Sequence, residues 1–251
     1  MTGESKQSRN VRSLYPELGA GGFTRVDGTV AFYTRVNALL DPSMTVLDFG
    51  AGRGAQLFDQ SSRYRNELSK LQGKVKWLIG VDLDPAVTKN PFLDEAHVID
   101  GESSLPFAPD TFDLIYADWV LEHVVSPEKF VAMVHSVLKP GGWLCARTPN
   151  RWGMTGISAN LIPNRLHDRI LSGLQPDREA RDIFPTMYRM NTLRTLRKCF
   201  GIAQWDDFSY TFNPEPPYVQ RFKPLMHLAQ IFLRVAPSAM ATDLHVFVRR
   251  R

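Results

Sequence analysis

An apolar run closed by glycines, Thr45 to Gly54 (T-V-L-D-F-G-A-G-R-G), constrains this chain more than any other stretch. Val46, Leu47 and Phe49 are interrupted by a single acid, Asp48, and Gly50, Gly52 and Gly54 follow. That pattern predicts a buried strand running into a tight turn. Glycines let backbone N–H groups come close to a ligand, and a helix predicted to follow from Ala55 adds the partial positive charge of its N-terminus. A nucleotide-like cofactor suits such a turn. Gly50-Ala51-Gly52-Arg53-Gly54-Ala55 also satisfies the loose G-x-G-x-x-[G/A] dinucleotide fingerprint, which leaves a dehydrogenase open.

The next apolar run, Val75 to Asp82, ends in an acid 28 positions beyond Gly54. An acid at the end of the second strand of such a unit can accept both ribose hydroxyls of an adenosine, and Asp82 is read in that role. The alternative is a helix cap, since Asp84-Pro85 looks like a helix start. Phe112 to Ala117 reads as a buried fourth strand. Ligands of open α/β sheets bind beyond the carboxyl ends of the strands, so Asp118, Trp119, Glu122 and His123 are expected beside the chemistry.

Four motifs stand in a recognisable order. Val46-Leu47-Asp48-Phe49-Gly50-Ala51-Gly52-Arg53-Gly54 comes first, then Gly80-Val81-Asp82-Leu83-Asp84-Pro85. Phe112 to Val124 (F-D-L-I-Y-A-D-W-V-L-E-H-V) and Leu138-Lys139-Pro140-Gly141-Gly142-Trp143 complete the set. Over roughly residues 30 to 150 the chain resembles the class I S-adenosylmethionine-dependent methyltransferases, in particular the small-molecule enzymes related to ubiquinone-type methyltransferases. The resemblance implies a Rossmann-like, seven-stranded, mostly parallel sheet with helices on both faces and an antiparallel last strand. It also implies S-adenosylmethionine as cofactor, with Asp48, Gly50, Ala51, Gly52, Asp82, Leu83, Asp100, Gly101 and Ala117 around it. Asp100 would meet the adenine amine, although an Asp-Gly turn is the other reading of Asp100-Gly101. His123 is the candidate general base, because imidazole accepts a proton near neutral pH and this residue follows the fourth strand; a structural histidine is the competing reading.

Length and composition fit one α/β domain over residues 1–251. Residues 1–28 are polar and glycine-rich and are expected to be mobile, with Thr29 to Leu40 as the first core helix. The polar N-terminus and the lack of any run of about 18 apolar residues point to a cytoplasmic protein. Cys145 and Cys199 have no metal-ligand spacing. No metal site is expected, since Trp119 stands where relatives that bind a divalent ion carry a further acid beside the Glu122-His123 pair.

The loose pattern after the fifth strand, over 148–190, reads as a lid or substrate wall. Asn191 is read as the cap of the helix after it, and Ile202 to Phe212 as a sixth strand. Charge is uneven: residues 1–145 hold 14 Lys and Arg against 18 Asp and Glu, and residues 146–251 hold 16 against 8. With Arg147, Arg151, Arg165 and Arg169 in or beside the lid, the expected acceptor is a small molecule with an oxygen nucleophile, anionic or linked to a sugar or lipid. A nucleic-acid methyltransferase is the alternative, disfavoured because Ala117-Asp118-Trp119-Val120 lacks the Asn/Asp-Pro-Pro-aromatic motif; a non-catalytic binding module on the same scaffold is a third reading. The apolar helix from Pro224 to Val235 is expected to be buried, with an interface to another subunit or peripheral membrane contact as the other uses of such a face.

Overall fold

A computed structural model describes residues 6–54, 62–101, 104–154, 185–216 and 222–251. Its centre is one twisted sheet whose parallel part runs through β1 (Thr45–Phe49), β2 (Trp77–Asp82), β3 (Glu95–Val98), β4 (Phe112–Asp118) and β5 (Leu138–Pro149). The order across the sheet is β3-β2-β1-β4-β5, and β8 (Asp243–Arg250) then joins β5 antiparallel. Strand order therefore reverses between β1 and β4, the switch point at which such sheets open a crevice at their carboxyl edge.

The expected sixth strand is present as two segments, β6 (Trp205–Asp207) and β7 (Tyr210–Phe212), both antiparallel to β8. Asp207 faces Val248 and Tyr210 faces His245, so the two keep a single register and occupy one line of the sheet. The ladder is interrupted by side chains. The Asp207 carboxylate accepts the Ser209 N–H (2.9 Å), and the Ser209 hydroxyl accepts the Phe247 N–H (3.2 Å) in place of a backbone carbonyl. Eight segments thus build seven lines of strand, with β8 as the antiparallel member.

Alternation along the strands divides the core. Leu47, Phe49, Ile115 and Ala117 face a cluster completed by α4 (Pro127–Val137) and α5 (Leu193–Cys199). Val46, Leu114, Tyr116 and Cys145 face Phe32, Tyr33 and Val36 of α2 (Gly28–Leu39), whose N-terminus is capped by Asp27 accepting from Thr29 and Val30. Lys139-Pro140-Gly141-Gly142, whose proline and glycines in the sequence read as the stop of the helix before the fifth strand, is a bulge in β5, across which the register with β4 jumps from Phe112↔Leu138 to Leu114↔Trp143.

Three local expectations are revised. The N-terminal segment, read as mobile from its polarity, contains α1 (Lys6–Leu14), which packs Val11, together with the following Tyr15, against Met226. The start of the helix expected directly after the glycine turn, at residues 55–61, lies outside the described residues; α3 (Arg63–Ser69), capped by the Ser62 hydroxyl, occupies the later part of the expected span. Thr192, not Asn191, caps α5; the Asn191 amide is buried and donates to the Thr148 hydroxyl (2.7 Å) and the Pro149 carbonyl (2.9 Å). The apolar helix α6 (Lys223–Val235) buries only Met226 and Ala229, and its other apolar residues are largely turned outward. Residues 155–184, most of the expected lid with His167, Arg165 and Arg169, lie outside the described residues.

Phe130 of α4 is fully buried and meets Phe49 of β1 edge to face, with ring centroids 5.4 Å apart. Phe130→Ala is expected to cost about 3–5 kcal/mol of unfolding free energy, measured by urea denaturation, because it removes a ring from a packed helix–sheet contact.

Candidate functional site

The glycine turn is shaped by its neighbours. Gly50, Gly52 and Gly54 all have positive φ, and a Cβ on Gly50 would lie 2.4 Å from the Val120 side chain in the loop after β4. The loops leaving β1 and β4 are therefore in contact across the switch point, and only glycine fits between them. The Gly50 and Ala51 N–H groups donate to the Val81 carbonyl (2.8 and 3.1 Å), and the Gly52 N–H donates to Asp82 (2.8 Å). These three amides fasten the turn to the end of β2.

Asp82 holds this corner with both oxygens, one accepting from Gly52 and the other from the Asp84 N–H (2.8 Å). The cap of the short helical turn Pro85–Lys89 is Asp84, whose side chain accepts from Ala86. Asp82 is therefore spared for the crevice, and each carboxylate oxygen keeps a further lone pair. Beside it, Leu83 and Val98 are exposed apolar side chains, while Gly101 has nothing within 4 Å of where a Cβ would stand. Asp100 is exposed just past the end of β3. Phe107 stacks edge to face on His97 and Phe112.

Across the switch point, the β4 and β5 ends carry a buried ion pair. Asp118 and Arg147 are register partners, and the guanidinium grips both carboxylate oxygens, through Nε and through Nη2 (2.9 Å). The Tyr33 hydroxyl donates to the same carboxylate (3.0 Å), and Arg147 Nη1 donates to the Thr29 hydroxyl (2.9 Å), so α2 is tied in at two points. Burial weighs against the Arg147 charge; the Asp118 charge and its hydrogen bonds outweigh it and hold the guanidinium above its ordinary pKa. Arg147 was expected beside the lid as a contact for an anionic acceptor. It is instead committed to Asp118, because period-2 alternation turns it to the Asp118 face. Arg151 remains near the surface, its guanidinium 5.7 Å from the Trp152 ring centroid.

Trp119 follows with φ 61°, a left-handed conformation that costs a bulky residue of the order of 1 kcal/mol or more. Its N–H donates to the Arg147 carbonyl (3.0 Å), and its ring lies 5.3 Å from the guanidinium carbon. Tyr188, also at positive φ, and Met187 donate their N–H groups to the Glu122 carbonyl. His123 Nδ1 lies 3.0 Å from the Pro185 carbonyl, which can only accept, so Nδ1 carries the proton and Nε2 the lone pair of the neutral ring. The Glu122 carboxylate turns inward to accept from Thr148 (2.9 Å). Among the described residues, no three His, Cys, Asp or Glu side chains gather as metal ligands.

Asp48 lies on the α2 face of β1, buried and accepting from the Tyr116 hydroxyl. Burial, with Asp118 and Asp82 adding like charge, raises its carboxyl to about 7. Asp243 is likewise raised to about 7, chiefly by burial. Ala117 is wholly enclosed in the core. The residues of the adenosine corner fit a nucleoside: a carboxylate for vicinal hydroxyls, exposed aliphatic side chains for a base, and glycines that leave room. The acid-rich edge around Asp48 and Asp118 suits a cationic group better than a phosphate. The sequence reading missed the Tyr33, Thr29 and Arg147 contacts. Strand alternation could have placed Arg147, but the two α2 hydroxyls carry no local signal.

The family model described as a methyltransferase domain matches residues 26–205. The ubiquinone biosynthesis O-methyltransferase of Burkholderia multivorans is 31% identical over 114 residues, 41% of this chain and 49% of that protein. The enzyme of the same name from Albidiferax ferrireducens is 29% identical over 131 residues, 49% and 51% respectively. The chain spans about half the length of the curated relatives it matches. An S-adenosylmethionine-dependent methyltransferase from Mesorhizobium loti shares the fold with a TM-score of 0.52 at 17% identity, over 88% of this chain and 98% of that one. A geranyl diphosphate C-methyltransferase from Streptomyces coelicolor, bound to S-adenosyl-L-homocysteine, gives 0.53 at 11%, over 88% and 76%.

With Asp48 raised from 3.8 to about 7, the folded chain keeps a proton that the unfolded chain has released over this interval. Stability from the protonated form is complete below the unfolded value and is lost as pH rises toward about 7. Asp48→Asn is therefore expected to gain stability relative to the parent between about pH 5 and pH 8, read from urea unfolding of both at each pH. Parallel profiles would show that burial does not perturb this carboxyl.

Proposed function

The chain belongs to the class I S-adenosylmethionine-dependent methyltransferases, and from that premise we propose that it methylates an oxygen nucleophile on a small molecule by in-line displacement. The observation that carries this reading is the arrangement at the switch point. An adenosine corner built on Asp82 stands on the same carboxyl edge of the sheet as His123, whose Nδ1 proton is held by the Pro185 carbonyl, so that Nε2 is the basic nitrogen of the ring.

S-adenosylmethionine, when bound, supplies an electrophilic methyl group on a sulfonium whose leaving group is already good. The chain's task is then mainly alignment, which can supply about 7–11 kcal/mol when the near-attack geometry is held. In this reading Asp82 takes the ribose hydroxyls, Leu83 flanks the base, and Asp100 with Gly101 borders the base's outer edge. Gly50, Ala51 and Gly52 give close backbone approach, Asp48 favours the cationic end of the cofactor, and the Ala117 backbone borders the methyl. The Asp118–Arg147 pair keeps the β4 and β5 ends at fixed separation. His123 Nε2 takes the hydroxyl proton as the new oxygen–carbon bond forms and the carbon–sulfur bond breaks, so charge does not build on the acceptor. The relatives' names, ubiquinone biosynthesis O-methyltransferases, support an oxygen acceptor on a small, lipid-linked molecule. The basic half supports an anionic or sugar-linked one through Arg151, now that Arg147 is committed elsewhere. A lipid-linked acceptor would bring the enzyme to a membrane surface.

Asp82→Ala is expected to weaken binding of S-adenosyl-L-homocysteine by about 1–3 kcal/mol in calorimetry, through loss of charge-assisted hydrogen bonds. Unchanged affinity in a folded variant would move the ribose elsewhere. His123→Ala is expected to lower kcat about 10²–10⁴-fold on an acceptor found with radiolabelled methyl donor, with cofactor affinity kept. Full activity in that variant would remove His123 as the base.

A further inference from the structure

Among the described residues, the outer face of α6 is apolar and exposed. Leu225, Leu228, Ile231, Phe232 and Val235 are 48, 64, 56, 38 and 76% exposed, and Phe222 precedes them at 58%. Positions 225, 228, 232 and 235 fall on one stripe of a helix, opposite the buried pair Met226 and Ala229 that fastens it to the protein. Large outward apolar patches are uncommon on soluble chains and mark surfaces that meet something else. The charged side chains of α6 itself are all of one sign. No acid occurs in it, and it holds Lys223, His227 and Arg234. Helix α1, which packs on α6 through Val11 with the following Tyr15, adds Arg9 and Arg12, and no acid stands between Glu4 and Glu17 in the sequence.

We infer that the α1–α6 pair is a docking surface for an anionic lipid bilayer, with the α6 stripe entering the headgroup boundary and the flanking cations meeting lipid phosphates. A short helix with an apolar stripe, a cationic border and no acids has the composition of interfacial helices that lie in a membrane surface. Among the described residues no helix is long and apolar enough to cross a membrane, so the contact is with the surface. A second copy of the chain fits less well, because a two-fold contact through α6 would bring Lys223 and Arg234 toward their own equivalents. The inference goes beyond methyl transfer and is separable from it.

The test uses the full chain in co-sedimentation with vesicles of phosphatidylcholine alone or with about one-third phosphatidylglycerol, at about 0.1 M salt. The parent is expected to bind the anionic vesicles at least about ten-fold more strongly than the zwitterionic ones. Leu228→Glu with Ile231→Glu is expected to weaken that binding at least about ten-fold, these being exposed positions whose change leaves the core intact. Arg9→Glu with Lys223→Glu is expected to bring anionic binding down toward the phosphatidylcholine level. Equal binding by the parent and the apolar variant, or no binding of the parent to anionic vesicles, would overturn the inference. Self-association of the parent that the apolar variant abolishes, without vesicle binding, would also overturn it and assign the face to a second copy. Calorimetry with S-adenosyl-L-homocysteine on the same variants separates the two readings: a chain that binds the nucleoside and no vesicles loses the docking surface and keeps methyl transfer, and the converse result does the opposite.

Discussion

The reaction edge depends on the ion pair between Asp118 and Arg147. Two neighbouring parallel strands end in opposite charges at the same register, so the pair closes a ladder that would otherwise fray where the strands part into loops. The charges are out of water, and a buried pair compensates its desolvation only when its remaining polar groups are also satisfied. Here they are: Tyr33 gives the carboxylate a further donor, and Thr29 takes one of the guanidinium's. Because both partners come from α2, the helix before the first strand is held at a fixed place above the crevice. Trp119 follows from the same geometry. Its N–H reaches the Arg147 carbonyl and its ring covers the guanidinium, contacts that sustain a left-handed backbone an isolated tryptophan would avoid.

One guanidinium does not neutralise its surroundings. Asp48 and Asp243 are both pushed up to about 7, and the like charge of Asp118 adds to burial in each case. Such an edge disfavours a further anion and favours a cation, which draws nearby carboxyls toward their ionised form. Asp48 and Asp118 belong to the half that sequence counting found acidic, and Asp243 brings a further acid to the same edge from the arginine-rich half. Net charge is a property of surfaces and long-range fields. The sign inside a crevice is set by which few side chains the strands turn toward it.

Much of the architecture was legible because it follows from periodicities of two and 3.6 and from glycine and proline punctuation. The β1 and β4 boundaries, the Lys139 to Gly142 stop and the sparing of Asp82 by Asp84 all arise from local patterns. What was not legible was tertiary. Asn191 has the composition of a cap, yet its amide satisfies Thr148 and Pro149 two strands away, and the cap passes to the adjacent Thr192. Val11 and Tyr15 are too few to announce a buried face in a polar segment, and they gain one only because Met226 lies opposite. Helix α6 errs in the other direction: its apolar residues cover most of the circumference in sequence, but among the described residues it has cover on one side alone.

The glycine turn shows why a fingerprint and its chemistry can separate. In a dinucleotide site, glycines bring free backbone N–H groups to a pyrophosphate at a helix N-terminus. Here the amides of Gly50, Ala51 and Gly52 are spent on the Val81 carbonyl and the Asp82 carboxylate, which pull the turn down onto the end of β2. A phosphate at this place would compete for donors already used and would face the Asp82 charge that holds them. A ribose meets no such conflict, since its hydroxyls donate to a carboxylate whose orientation the glycine amide has fixed. The same glycine spacing therefore serves two cofactor classes, and the acceptor to which its amides are bound decides between them.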